Sequence, residues 1–119
     1  NKMCCTRYKN LSFLPESDNA ITLWDVKKKT HLHTFVGHEE CITSVCFNKN
    51  GTLLASGSKD GHVKIWSIEK KICLDTFKVD TPDSRCVIYD LTFSPDGSKI
   101  AFDTEEEGPY WIDISQFNE

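Results

Sequence analysis

No Cys-x-x-Cys pair occurs anywhere in the 119 residues, although the chain has six cysteines. Zinc and dithiol redox readings therefore lack their usual spacing. Cys4 and Cys5 are adjacent, a poor arrangement for sharing one metal, while Cys41, Cys46 and Cys73 fall within apolar strand patterns. Free cysteine commonly packs as a small hydrophobe. The expectation is six reduced cysteines, none bridged or metal-bound, as in a cytosolic or nuclear compartment. No run of 18 apolar residues is present, so no membrane-spanning helix and no membrane insertion are expected. No signal peptide is evident. The chain opens at Asn1 rather than Met, which reads as a piece of a longer protein.

Nor is there an excess of positive charge. Fourteen basic residues meet 18 acidic ones, for a formal charge of −4. That balance gives no support to nucleic-acid or anionic-membrane binding. Lys27-Lys28-Lys29 is the one basic run, read as a solvated turn in preference to a docking patch. No phosphate-cradling glycine loop, nucleophile elbow or pair of carboxylates in an apolar pocket is recognisable. No stretch sustains the 3.6-residue period of a helix. A chain of this size has room for one modest core.

What the chain does contain is a repeat. Ile42–Phe47, the turn Asn48-Lys-Asn-Gly51, Leu53–Ser58, the turn Lys59-Asp60-Gly61 and His62–Trp66 make the clearest unit. A downstream copy reads Ile88–Phe93, Ser94-Pro-Asp-Gly97, Lys99–Phe102 and Tyr110–Ile114. Phe47 maps to Phe93 and Gly51 to Gly97, both at an offset of 46. Upstream, Asp18 and Trp24 map to Asp60 and Trp66 at an offset of 42. The difference lies in an enlarged polar loop around Asp80-Thr81-Pro82-Asp83-Ser84. Asn50-Gly51, Asp60-Gly61 and Asp96-Gly97 are hairpin-turn dipeptides. Thr30–Phe35 and Lys71–Phe77 supply a further strand after each tryptophan strand. About four strands per unit of 42 to 46 residues is the pattern of a propeller blade.

These residues resemble the WD-repeat family. Gly37-His38 is similar to the pair that opens such a repeat, Trp24-Asp25 is an intact Trp-Asp pair, and Trp66-Ser67 stands in the same place. Leu53-Leu-Ala-Ser-Gly-Ser-Lys-Asp-Gly-His-Val-Lys-Ile-Trp66 looks like the family's central signature throughout. The resemblance runs from about Met3 to Ile114. It implies an all-β fold, a partial WD-repeat β-propeller of about three four-stranded antiparallel blades, expected to belong to a larger ring of roughly six to eight blades. Residues 1–36 form the first blade, truncated at its start inside the strand Met3-Cys4-Cys5; 37–78 form a complete second blade; 79–119 form a degenerate third blade without its outer strand.

The resemblance also implies a structural hydrogen-bonded tetrad of His38, Asp60, Trp66 and a hydroxyl, either Ser56 or Ser58. Physical reasoning agrees, since a buried indole N–H, carboxylate and imidazole are tolerable only if partnered. A catalytic Asp-His-Ser set or a metal-ligating His38 is the weaker reading. In the third unit Glu105-Glu106-Glu107 stands where Lys59-Asp60-Gly61 would, and Ile112 replaces Trp66. That blade is expected to rely on packing of Phe93, Ile100, Tyr110, Trp111, Ile112 and Ile114.

Three blades do not close a ring, because propellers use about four to eight. The missing blades are expected from the parent chain, or alternatively from other copies, with an open arc as the remaining option. The function implied is a protein–protein interaction scaffold, with no enzyme activity, cofactor or metal, placed in the cytoplasm or nucleus or in a cilium or other large assembly. Alternatives are a purely architectural segment of a large particle and a substrate-recruiting domain of an enzyme. The candidate partner loops are Asp80, Thr81, Pro82, Asp83 and Ser84, and the acidic run Asp103-Thr104-Glu105-Glu106-Glu107.

Overall fold

The computed structural model describes residues 7–8, 11–15, 19–38, 40–59, 61–79, 87–104 and 109–117. These form eleven strands in chain order: β1 Arg7–Tyr8, β2 Leu11–Pro15, β3 Ala20–Asp25, β4 Thr30–Val36, β5 Ile42–Phe47, β6 Leu53–Ser58, β7 His62–Ser67, β8 Ile72–Lys78, β9 Ile88–Phe93, β10 Lys99–Thr104 and β11 Tyr110–Asp113. A short 3₁₀ turn, Ser115–Phe117, follows β11. The strands make three antiparallel meanders, β1-β2-β3-β4, β5-β6-β7-β8 and β9-β10-β11. This is an all-β partial propeller whose ring is not closed.

The repeat offsets reappear as backbone geometry. Gly51 and Gly97 both have positive φ, 74° and 77°, and each turn closes in the same way. Asn48 N–H donates to Leu53 O and Gly51 N–H to Asn48 O; Ser94 N–H donates to Lys99 O and Gly97 N–H to Ser94 O. At the offset of 42, Asn19 (φ 68°) matches Gly61 (φ 80°), and Lys29 (φ 56°) matches Lys71 (φ 61°). The pairing of β3 with β4 shifts between Leu23 and Trp24, and that of β7 with β8 between Ile65 and Trp66. Both shifts fall at the tryptophan, leaving Leu32 and Leu74 as the extra residues of the outer strands.

Two packed layers hold the sheets together. Between the first and second sheets lie Ile21, Leu23, Phe35, Val45, Phe47, Leu54 and Trp66. Between the second and third lie Cys46, Leu53, Ala55, Val63, Ile65, Ile88, Leu91, Phe93, Ile100, Phe102 and Ile114. The second sheet is therefore buried on both faces. That explains why β6 is buried at all six positions and reads as a continuous small-apolar run without alternation. The sheets also touch through polar atoms, where Leu91 N–H donates to Ser44 Oγ at 3.3 Å.

Two expectations need correction. Cys46 is buried and not disulfide-bonded, but Cys41 and Cys73 are exposed. Cys41 precedes β5, in the turn where its carbonyl accepts Lys59 N–H at 2.9 Å, and Cys73 lies on the outer strand opposite the tryptophan bulge. Trp111 is 60% exposed, so it does not join the third sheet's packing. The two-residue alternation of β11 sends Tyr110 and Ile112 toward the core and Trp111 to the opposite face. The innermost strand described in the first sheet is Arg7–Tyr8, paired with Ser12 and Leu11; Met3, Cys4 and Cys5, the expected start of the first blade, lie outside the described residues. In the third sheet Phe93, Ile100 and Ile114 are buried, and Tyr110 stacks on Phe102 at 5.5 Å.

Candidate functional site

The one concentration of buried polar side chains with catalytic-looking chemistry among the described residues centres on Ser56. Strand pairing sets Ser56 of β6 opposite Lys64 of β7, two residues before Trp66. Its hydroxyl accepts the Trp66 indole N–H at 2.9 Å. His38, in the segment between β4 and β5, brings Nε2 to 2.6 Å from the same Ser56 Oγ. Indole nitrogen only donates, so Ser56 accepts there and still has one O–H and one lone pair for the imidazole. It can satisfy Nε2 in either tautomer. Ser56 is fully buried, and His38 and Trp66 nearly so.

The surroundings explain the placement. The Phe35 ring meets Trp66 edge-on at 5.4 Å, and His38 lies 6.2 Å from it. A Cβ at Gly37 would come within 3.0 Å of Trp66 Cη2, so glycine lets the chain cross the indole closely. Burying an aromatic side chain of this size contributes on the order of 4–6 kcal/mol of transfer free energy. The hydrogen bonds to Ser56 remove the penalty that the N–H would otherwise carry. The cluster thus pins the segment entering the second sheet to the middle of that sheet.

Of the residues singled out from the sequence, the structure brings together His38, Ser56 and Trp66. Ser58 is equally buried, one turn of the pleat away, but the indole donates to Ser56. Asp60 lies outside the described residues, as do Asp80, Thr81, Pro82, Asp83, Ser84, Glu105, Glu106 and Glu107. A nucleophilic serine needs an open approach to its oxygen; Ser56 Oγ instead sits between an indole and an imidazole with no exposed surface. Among the described residues, no group of three His, Cys, Asp or Glu side chains is arranged to hold a metal ion.

Several further residues hold strands and turns through hydrogen bonds that the sequence did not assign to them. Trp24 donates to Thr22 Oγ1 at 3.0 Å, a different partner position from that of Trp66, whose acceptor lies on the neighbouring strand. Asp25 Oδ1 accepts the Lys27 and Lys28 N–H groups, Ser67 Oγ accepts Lys70 N–H, and Asp113 Oδ1 accepts Ser115 N–H. All three occupy one repeat position, related by the offsets of 42 and 46. Asp96 lies in the turn before β10, accepting Ser98 N–H at 3.0 Å and the Ser94 and Ser98 hydroxyls at 2.8 Å. These bonds, the Ser98 backbone N–H first, lower its pKa from 3.8 to about 2.

Comparison with known proteins agrees with this geometry. Residues 29–67 match the WD domain, G-beta repeat model. The chain is 31% identical over 91 residues to human striatin, covering 76% of this chain and 12% of striatin. It is 32% identical over 97 residues to eukaryotic translation initiation factor 3 subunit I of Pyricularia oryzae, covering 82% and 27%. With human pre-mRNA-processing factor 17 it shares 35% over 83 residues, covering 69% and 14%. It therefore spans roughly a quarter or less of the length of these curated relatives. The fold is that of the β-propeller domain of Myceliophteria thermophila Cps50 (Swd1), with a TM-score of 0.80 at 19% identity, covering 93% of this chain and 35% of that one. With its repeat model, its register-matched sheets and its buried tryptophan cluster, the chain belongs to the WD-repeat β-propeller family as a partial propeller of few repeats.

Proposed function

We propose that this chain is a protein–protein interaction segment of a scaffold, with no chemistry of its own, whose loops carry partners in a multiprotein assembly. The observation that carries this reading is the commitment of Ser56: its pairing with His38 is closed off and shared with Trp66, so the cluster supports the fold. One relative is by name a subunit of a translation initiation factor, which favours work within an assembly. The remaining blades are supplied by a longer chain or by other copies, and the protein acts in the cytoplasm or nucleus.

The partner-facing candidates remain the loop Asp80–Ser84 and the acidic run Asp103–Glu107. The test exchanges Asp80–Ser84, and separately Glu105–Glu107, for Gly/Ser of equal length in the complete protein, keeping Asp103 and Thr104 because they belong to strand β10. Proteins that co-purify with the wild type should be lost with at least one exchange, while the unfolding midpoint and far-ultraviolet spectrum stay unchanged. Retention of every associated protein in both exchanges would overturn the assignment of these loops.

A further inference from the structure

Six exposed lysines lie at one end of the first two sheets. Lys27, Lys28 and Lys29 are in the turn between β3 and β4, Lys70 and Lys71 in the turn between β7 and β8, and Lys49 in the turn between β5 and β6. Repeat register brings them there. The β7–β8 turn repeats the β3–β4 turn at the offset of 42, and the two sheets pack face to face. Ile68 N–H donates to Thr52 O at 3.1 Å, which ties the β5–β6 turn to the same end. Lys27-Lys28-Lys29 alone reads as a solvated turn; the fold sets two further lysine-bearing turns beside it. Their positive field crosses between the sheets. Burial first, and then Lys71 and His31, hold the His33 imidazole on β4 below its ordinary pKa. The carboxylates in these turns are Asp25 and Glu69, and Asp25 Oδ1 already accepts the Lys27 and Lys28 backbone N–H groups. Among the described residues, none of these ammonium groups is in an ion pair.

Two of the lysines sit where a lysine is costly. Lys29 and Lys71 share one repeat position and have left-handed φ of 56° and 61°, a conformation that strains glycine less. Strain kept twice for the same charged side chain points to a use for that charge. Near them are Leu32 on β4 and Ile72 on β8, 43% and 50% exposed. We infer that this lysine rim docks a short acidic segment of a partner protein, one whose carboxylates alternate with apolar side chains. The lysines supply charge complementarity, and Leu32 and Ile72 supply apolar contacts. A long polyanion fits less well. The chain carries a formal charge of −4, so a nucleic acid or an anionic membrane reaching past the rim would meet repulsion. A short segment touches the rim alone. The inference rests on the scaffold reading for the partner being a protein, but it concerns different residues from the loops proposed above.

The test uses the complete protein and a labelled peptide of alternating glutamate and leucine, followed by fluorescence anisotropy. Lys29→Gly/Lys71→Gly removes two charges and relieves both left-handed residues. It should bind the peptide about tenfold more weakly while its unfolding midpoint stays level or rises. Lys28→Gln/Lys70→Gln leaves the left-handed positions as they are and should weaken binding similarly. Lys59 and Lys78 lie at the far ends of β6 and β8, so Lys59→Gln/Lys78→Gln removes the same charge away from the rim and should bind like the wild type. No binding by the wild type, or wild-type affinity in both rim variants, would overturn the inference. So would an equal loss in the Lys59→Gln/Lys78→Gln control. Phosphatidylserine vesicles or single-stranded DNA bound more tightly than the peptide, with the same lysine dependence, would overturn the assignment to a protein segment. Lysine-dependent peptide binding with every co-purifying protein kept in both loop exchanges would refute the loops and uphold the rim; the reverse pattern would refute the rim alone.

Discussion

Gly57→Ala is expected to destabilise the protein, for a reason located in the adjacent sheet. A Cβ at this position would lie 2.5 Å from Ile88 Cγ2, 2.9 Å from Ile88 Cβ and 3.2 Å from Leu91 Cδ2. Carbon atoms rest at about 3.5–4.0 Å, so the sheets must part locally by roughly 1 Å. Overpacking of this kind costs about 1–3 kcal/mol, and the reduced chain entropy of alanine offsets about 0.5–1 kcal/mol of it. The net expectation is a loss of about 1–2 kcal/mol. Ile88→Ala alone removes a fully buried side chain and should cost about 2–5 kcal/mol. The double variant removes Ile88 Cγ2, the atom struck hardest, and leaves the milder approach to Cβ, so the two effects should couple favourably by about 0.5–3 kcal/mol. Equilibrium urea unfolding of the four proteins measures this directly. Additivity within about 0.5 kcal/mol would refute the face-to-face packing of the second and third sheets.

Two local predictions follow from backbone and turn geometry. Lys71 holds a left-handed φ of 61° at the start of the outer strand, so Lys71→Gly should relieve strain and stabilise by about 0.5–1 kcal/mol in thermal unfolding; a destabilised variant would show that the lysine side chain has a compensating contact. Asp96 has its pKa depressed to about 2. Its turn contribution is therefore fully present above the ordinary carboxylate pKa and is lost as pH falls through about 2. An NMR titration of the Asp96 carboxyl carbon should show its midpoint near that value, and a midpoint close to 3.8 would contradict the hydrogen bonds drawn to it.

Much of this architecture was legible in the chain because the repeat places equivalent residues at fixed offsets. The Asn50-Gly51 and Asp96-Gly97 turns and the Trp66 strand carry local signals strong enough to set strand limits within a residue or two. The fate of Trp111 was less accessible. Its aromatic character suggests burial, but the face it occupies is decided by alternation along β11 and by what packs beyond it. Cys73 misled for a related reason, since an outer strand carries apolar residues without being enclosed. The choice of Ser56 over Ser58 was not legible either. Both lie on one face of β6, and only the register with β7 puts one of them within reach of the indole. Gly57 resembles any weak strand position until the third sheet is in place.

The central claim is that the His38–Ser56–Trp66 cluster holds the fold and does not act on a ligand. Ser56→Ala, made in the complete protein, tests it most directly through two readings on one sample: the free energy of unfolding and the affinity for a co-purifying partner. Removing the hydroxyl leaves a buried indole N–H and the His38 Nε2 without their shared partner, so stability should fall by about 2–4 kcal/mol. Thr22→Val, which frees the half-buried Trp24 indole, should cost about 1 kcal/mol or less. Partner affinity should be unchanged at temperatures where the variant is folded. Unchanged stability together with lost binding or a lost reaction would mean that the cluster is a functional site and that the structural account is wrong.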